Sequence, residues 1–189
     1  MDFNLYNLLS TLIPGFIVLM AGMRLLNFDV NNIPVLPSTA VAFVMGYFIN
    51  AIGGWLEKFL FWTWGGEPAI QLLEGKNCGR IKFYEVEKLK SFFNTEENIN
   101  NKKTFQIAMR LSNGNERVSD MNVSYVFSRS ILTTLLVAYF ILLPVYFKNI
   151  YFEIISIFLI FLSWYRAKER GFYYVKEVLT ATINIKEGR

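Results

Sequence analysis

"IYFEIISIFLIFLSWYRAKERGFYYVKEVLTA", residues 150–181, changes character halfway. From Ile150 to Tyr165 the only charge is Glu153, and the run is long enough to approach the width of a bilayer's hydrocarbon core. From Arg166 onward charges crowd in, yet Phe172, Val175, Val178, Leu179 and Thr182 recur every three or four residues. That spacing puts them on one face of a helix. The stretch therefore predicts a membrane helix that continues into water and buries an apolar stripe against another part of the chain. Gly171 lies at the junction, where it weakens the helix by about 1 kcal/mol relative to Ala, and is expected to act as a hinge.

Working outward, Lys148 and Asn149 alone separate this run from "ILTTLLVAYFILLPVYF", 131–147, so the two should form a tight antiparallel hairpin. Two more apolar runs lie upstream. "LLSTLIPGFIVLMAGMRLL" spans a membrane, read from Phe3 to Phe28, if its helix continues through Pro14-Gly15. It lacks a positive n-region and a small-x-small cleavage site, so it reads as a retained helix and not a signal peptide. "STAVAFVMGYFINAIGGWL", 38–56, is followed by Glu57-Lys58 and then "FLFWTW", and Trp55, Trp62 and Trp64 suggest emergence at the headgroup level.

Composition agrees with a membrane protein: 53% of the 189 residues are hydrophobic, 17% aromatic and 18% charged. There is no histidine, which excludes His-ligated metals and His-dependent nucleophiles or acid–base steps. One cysteine, Cys78, excludes an internal disulfide and a zinc knuckle. With no glycine-rich phosphate loop and no carboxylate pair, the sequence implies no enzyme and no cofactor. "GGE" and "LEGKNCG" hold only isolated glycines.

Loop charge gives the expected topology. Nine Lys/Arg lie between the second and third runs, from Lys76 to Arg117, and six follow the fourth, from Arg166 to Arg189. Only Arg24 and Lys148 flank the opposite ends. The positive-inside rule then places both termini and the central segment in the cytoplasm. The expected fold class is an all-α membrane protein: four transmembrane helices with a helical cytoplasmic module. Its divisions are 1–65 (helices one and two), 66–126 (cytoplasmic segment), 127–165 (hairpin three and four) and 166–189 (cytoplasmic tail).

Within the central segment, Ile81, Tyr84, Val86, Leu89 and Phe92/Phe93 of "RIKFYEVEKLKSFF" fall near helical spacing. "TEENINNKK", 95–103, reads as a loop, and "TFQIAMRL" as a short helix ended by "SNGN". From Glu116, Val118, Met121 and Tyr125 resume a helical period with nothing to stop it before Pro144.

Polar residues in membrane helices need a physical reason. Asn4, Asn7 and Thr11 share a face of the first helix that lines an aqueous path, binds a neighbouring helix or lies in the headgroups. Asn50, among Gly46, Gly53 and Gly54, is either interhelical glue or a selectivity element. Arg129 and Glu153 either snorkel to water or face the bundle. Lys82, Lys88 and Lys90, with Arg166, Lys168 and Arg170, are candidate contacts for a partner or for lipid. Glutamates intervene among them, so direct nucleic-acid binding is not expected.

"LIPGFIVL", "GYFINAIGGWLE" and "AKERGFYYVKEVL" together resemble small four-helix bacterial membrane proteins of phage-defence systems. The layout is similar to the multi-pass accessory proteins of type VI, RNA-targeting CRISPR loci. The resemblance implies a bacterial inner-membrane protein, a CRISPR effector or other defence component as partner, and a role in perturbing the membrane or modulating the nuclease. A second accessory type is HEPN-like; its ribonuclease pattern needs a histidine four to six residues after an arginine, and Arg170 is followed there by Tyr174 and Lys176. Two functions are carried forward. One is an oligomeric effector that permeabilises the bilayer, with helix one lining a path between copies. The other is a non-conducting scaffold that tethers a soluble partner.

Overall fold

The computed structural model describes residues 5–28, 34–93 and 100–188. All regular structure among them is helical: α1 (Leu5–Leu25), α2 (Val35–Thr63), α3 (Pro68–Leu73), α4 (Val86–Phe93), α5 (Asn101–Leu111), α6 (Glu116–Tyr146) and α7 (Ile150–Lys186). Three stretches are long and apolar enough to cross a membrane, within Val35–Leu73, Glu116–Tyr146 and Ile150–Lys186, and Ser10–Leu25 is a shorter apolar helix. The chain divides into two compact units, Met1–Glu57 with Val126–Ala167, and Lys58–Tyr125 with Lys168–Arg189.

In the first unit, α1 continues through Pro14, as a spanning helix there requires. It meets α2 at a reciprocal pair of glycines. A methyl group on Gly15 would lie 1.7 Å from the Ala42 carbonyl oxygen, and one on Gly46 would lie 1.8 Å from that of Thr11. Thr11 and Gly15, like Ala42 and Gly46, stand four residues apart, so each helix offers a small-xxx-small ridge to the other. In lipid this contact supplies dispersion energy that no hydrophobic force provides. The hairpin of α6 and α7 is as tight as expected. Asn149 accepts from the amides of Tyr151 and Phe152 (3.1 and 3.4 Å), capping α7. Phe152 stacks on Tyr139 and packs against Tyr146.

The second unit has a conventional core. Phe172, Val175, Val178, Leu179 and Ile183 of α7 are buried with Leu72 and Leu73 of α3, Leu89 of α4, Ala108 of α5, and Ile81 and Phe83. Thr182, fully buried, donates its hydroxyl to the Ala108 carbonyl (3.1 Å) and the Val178 carbonyl (2.8 Å) as alternative acceptors. The predicted stripe on α7 is therefore the wall around which α3–α5 assemble.

Three expectations change. The helix in "RIKFYEVEKLKSFF" begins only at Val86. Before it the chain is extended: Ile81 and Phe83 are buried while Lys82 and Tyr84 are exposed, a period of two. Gly79, at φ 55°, turns the chain so that Cys78 and Ile81 pair their backbones. Burial here pushes the Cys78 thiol pKa up, against a smaller lowering by Lys168 and with a further rise from Glu169. Second, α5 starts at Asn101, not Thr104, because Asn100 caps it by accepting from the Lys102 amide at 3.3 Å. The rest of the expected loop, residues 95–99, lies outside the described residues. Third, Trp64 is not an interfacial residue. It is 3% exposed, whereas Trp55 and Trp62 are 79% and 74% exposed. At Gly171, α7 runs on without a break. A methyl there would lie 3.1 Å from the Tyr125 ring and 3.2 Å from the Trp64 ring, so close packing accounts for the glycine.

The glycine contact gives a direct test. Gly46→Val should lower stability in detergent by at least roughly 3 kcal/mol, the upper end of ordinary overpacking, read as a large drop in melting temperature. Gly22→Ala, at a site with no atom within 4 Å, should leave it unchanged or raise it by about 0.5–1 kcal/mol.

Candidate functional site

The polar residues of the first unit converge along α2 and α6. On α2, Asn50, Gly53 and Glu57 stand three and four residues apart and so share a face. On α6, Arg129, Ser130, Thr133 and Thr134 form the opposing set. Arg129 Nη1 lies 3.1 Å from Glu57 Oε1, with the arginine side chain 13% exposed and the glutamate 29%. Ser130 donates to Asn50 Oδ1, with the Val126 carbonyl 2.9 Å away as its alternative acceptor. Gly53 lets α6 come close: a methyl there would stand 3.0 Å from Thr133 Oγ1 and 3.5 Å from Arg129 Nε.

The threonines are also engaged. Thr133 donates to the Arg129 carbonyl (3.0 Å) and Thr134 to the Ser130 carbonyl (2.7 Å). Ser130, Thr133 and Thr134 are each at most 1% exposed. Most of the set finds its partners within the chain. A carboxylate neutralises a guanidinium, an amide meets a hydroxyl, and the remaining hydroxyls bond back to the helix. Such a stripe fixes the register of two helices.

The other predicted residues are dispersed. Asn4 lies outside the described residues, and Asn7 falls in α1 with its side chain outside them. Thr11 is half-buried at the glycine contact with α2. Arg129 takes the bundle-facing alternative, paired within its own chain. Glu153 accepts a hydrogen bond from the Tyr139 hydroxyl at 2.8 Å, across the hairpin. Arg24 donates through Nε to the Tyr146 hydroxyl at 2.8 Å, with its guanidinium carbon 5.9 Å from the centre of that ring.

In the second unit, Lys88 pairs with Glu187 and Glu85, while Lys82 and Lys90 are exposed. Lys102 pairs with Glu67 (3.0 Å) and Arg117 with Glu177 (3.1 Å). Arg166, at the end of the first unit, is exposed, and Lys168 is half-buried. Arg170 is half-buried, and among the described residues its Nε has no hydrogen-bond partner. Tyr174, one turn on, stacks on Tyr125 with ring centres 6.2 Å apart.

Glu57, Ser130, Thr133 and Thr134 were missed as site residues. The signal was there: Asn50 and Glu57 lie seven residues apart, two helical turns, and Ser130, Thr133 and Thr134 repeat at three and four inside an apolar run. Its place just past the second apolar run concealed Glu57. No protein-family model, curated protein or solved structure matches the chain.

A double-mutant cycle measures the ion pair. Glu57→Gln and Arg129→Met should each destabilise the protein in detergent, and the double variant should recover a coupling on the order of 0.5–3 kcal/mol. Additive losses would mean that the two charges act independently.

Proposed function

We propose that this protein is a membrane-anchored scaffold or regulator. In this reading the first unit crosses the bilayer four times, both termini lie in the cytoplasm, and the second unit engages a soluble partner there. The observation that carries it is the α2–α6 stripe: Asn50 and Arg129, two of the candidate residues for a polar path, are turned onto Ser130 and Glu57 of the same chain. Thr11, offered as a pore liner, has its backbone against Gly46.

Four crossings are supported by α1, whose 21 residues make a rod of about 31 Å, near the thickness of the hydrocarbon core. The orientation rests on the excess of Lys/Arg in 76–117 and 166–189. The resemblance suggests the bacterial inner membrane and a component of RNA-guided antiphage defence as the partner. The pairing of Lys88, Lys102 and Arg117 with glutamates supports a protein partner over a nucleic acid.

One observation favours the oligomeric effector as a second reading. Only 6% of the apolar stretch of α7 is buried, and Ile154, Ile155, Ile157 and Phe158 are each 58–60% exposed. That surface is available to lipid or to further copies.

Ion flux in proteoliposomes separates the readings. The scaffold predicts flux no greater than in empty vesicles, and no change in Thr11→Leu or Asn50→Leu. Flux that falls in either variant would establish the effector instead. Topology is read in spheroplasts of a Cys78→Ser background: an impermeant thiol reagent should label Lys148→Cys and spare Lys82→Cys.

A further inference from the structure

Between α1 and α6 runs a groove of about 400 Å³ whose walls are almost entirely apolar. Phe16, Ile17 and Met20 line it from α1 and Leu142 from α6, and its polar members are Arg24 and Tyr146. Along α1 the lining runs from Phe16 to Arg24, eight residues or roughly 12 Å of helix, and along α6 it proceeds in the same sense toward Tyr146. The groove is thus apolar along its length and cationic at one end.

We propose that it seats an acyl chain of an anionic phospholipid, with the phosphate held by Arg24. A guanidinium carries five N–H donors in a planar fork suited to phosphate. The Nε–H is directed at the Tyr146 hydroxyl, which orients the fork, and the remaining donors belong to an exposed side chain. A soluble anion would satisfy Arg24 but leave the apolar wall uncovered. A bare helix from a second copy would cover the wall but bring no anion. A phospholipid does both. The inference rests on the first unit lying in lipid, as the proposed function has it, and is independent of whether the protein conducts ions.

Native mass spectrometry of the detergent-purified full chain tests it, after exchange into micelles holding equal amounts of phosphatidylglycerol and phosphatidylcholine with the same acyl chains. The wild type should retain one phosphatidylglycerol in preference to phosphatidylcholine by roughly tenfold, the worth of one charge-assisted contact. Arg24→Gln, at an exposed side chain, should abolish the preference with an unchanged melting curve. Lys148→Gln, outside the groove, should keep it. Met20→Trp, filling the groove from its exposed side, should lose the retained lipid of either kind. Equal retention of both lipids by the wild type would overturn the proposal, as would a preference that survives Arg24→Gln. A change of subunit number in Met20→Trp with the lipid count intact would overturn it in favour of a second copy. Failure of the membrane reading itself is separately visible: the chain would then leave membranes in alkaline carbonate without detergent.

Discussion

Hydrocarbon offers a polar side chain no partner, so one placed there must find it in the protein. In the proposed membrane reading, the pairing of Glu57 with Arg129, beside that of Asn50 with Ser130, answers this constraint, and the rest of the first unit is arranged around it. Two contacts at different heights fix both the rotation and the sliding of α2 against α6. A one-residue slip would turn Asn50 and Glu57 by about 100° and strand all four groups. Apolar packing alone has no comparable penalty, because one leucine can replace another against lipid. The glycine contact then sets α1 along the same face of α2, nearer its N-terminus, from a different physical basis, backbone shape instead of charge.

The second unit obeys the rules of a protein in water. Its core is Phe, Leu, Ile and Val from short helices collected on the buried face of α7. Several of its charged residues pair at the surface, where each pair adds little stability but excludes wrong neighbours. Helices α6 and α7 each belong to both units, without a break in either. In the proposed reading one sequence thus carries two solvation regimes along a single helix, and the change from an exposed apolar surface to an apolar stripe marks where one gives way to the other.

Legibility in the sequence followed the strength of the periodicity. The stripe from Phe172 to Thr182 was readable because five residues repeat at helical spacing among charges, and all five are buried. The α6–α7 hairpin was readable because two residues allow no other connection. Ile81 and Phe83 were not, since four extended residues beside a helix give too short a period to distinguish from its first turn; their alternation shows only once burial is known. Trp64 misled because an aromatic after an apolar run has the same appearance at a headgroup boundary and in a core. The Glu57–Arg129 pair escaped because 72 residues separate its members in sequence, and no local pattern reports a contact at that range. The candidate residues were visible one helix at a time, whereas their pairing is a property of the fold.

The central claim is that the polar stripe closes within one chain. The most direct measurement is disulfide formation in native membranes by the Asn50→Cys/Ser130→Cys variant in a Cys78→Ser background, scored on a non-reducing gel. Side chains in contact across α2 and α6 should give an internal bridge: a species of monomer size, with no thiol left to alkylate. A dimer joined through these positions would contradict the account, because it would make the stripe an interface between copies. Two free thiols under oxidising conditions would contradict it as well, because α2 and α6 would not meet there.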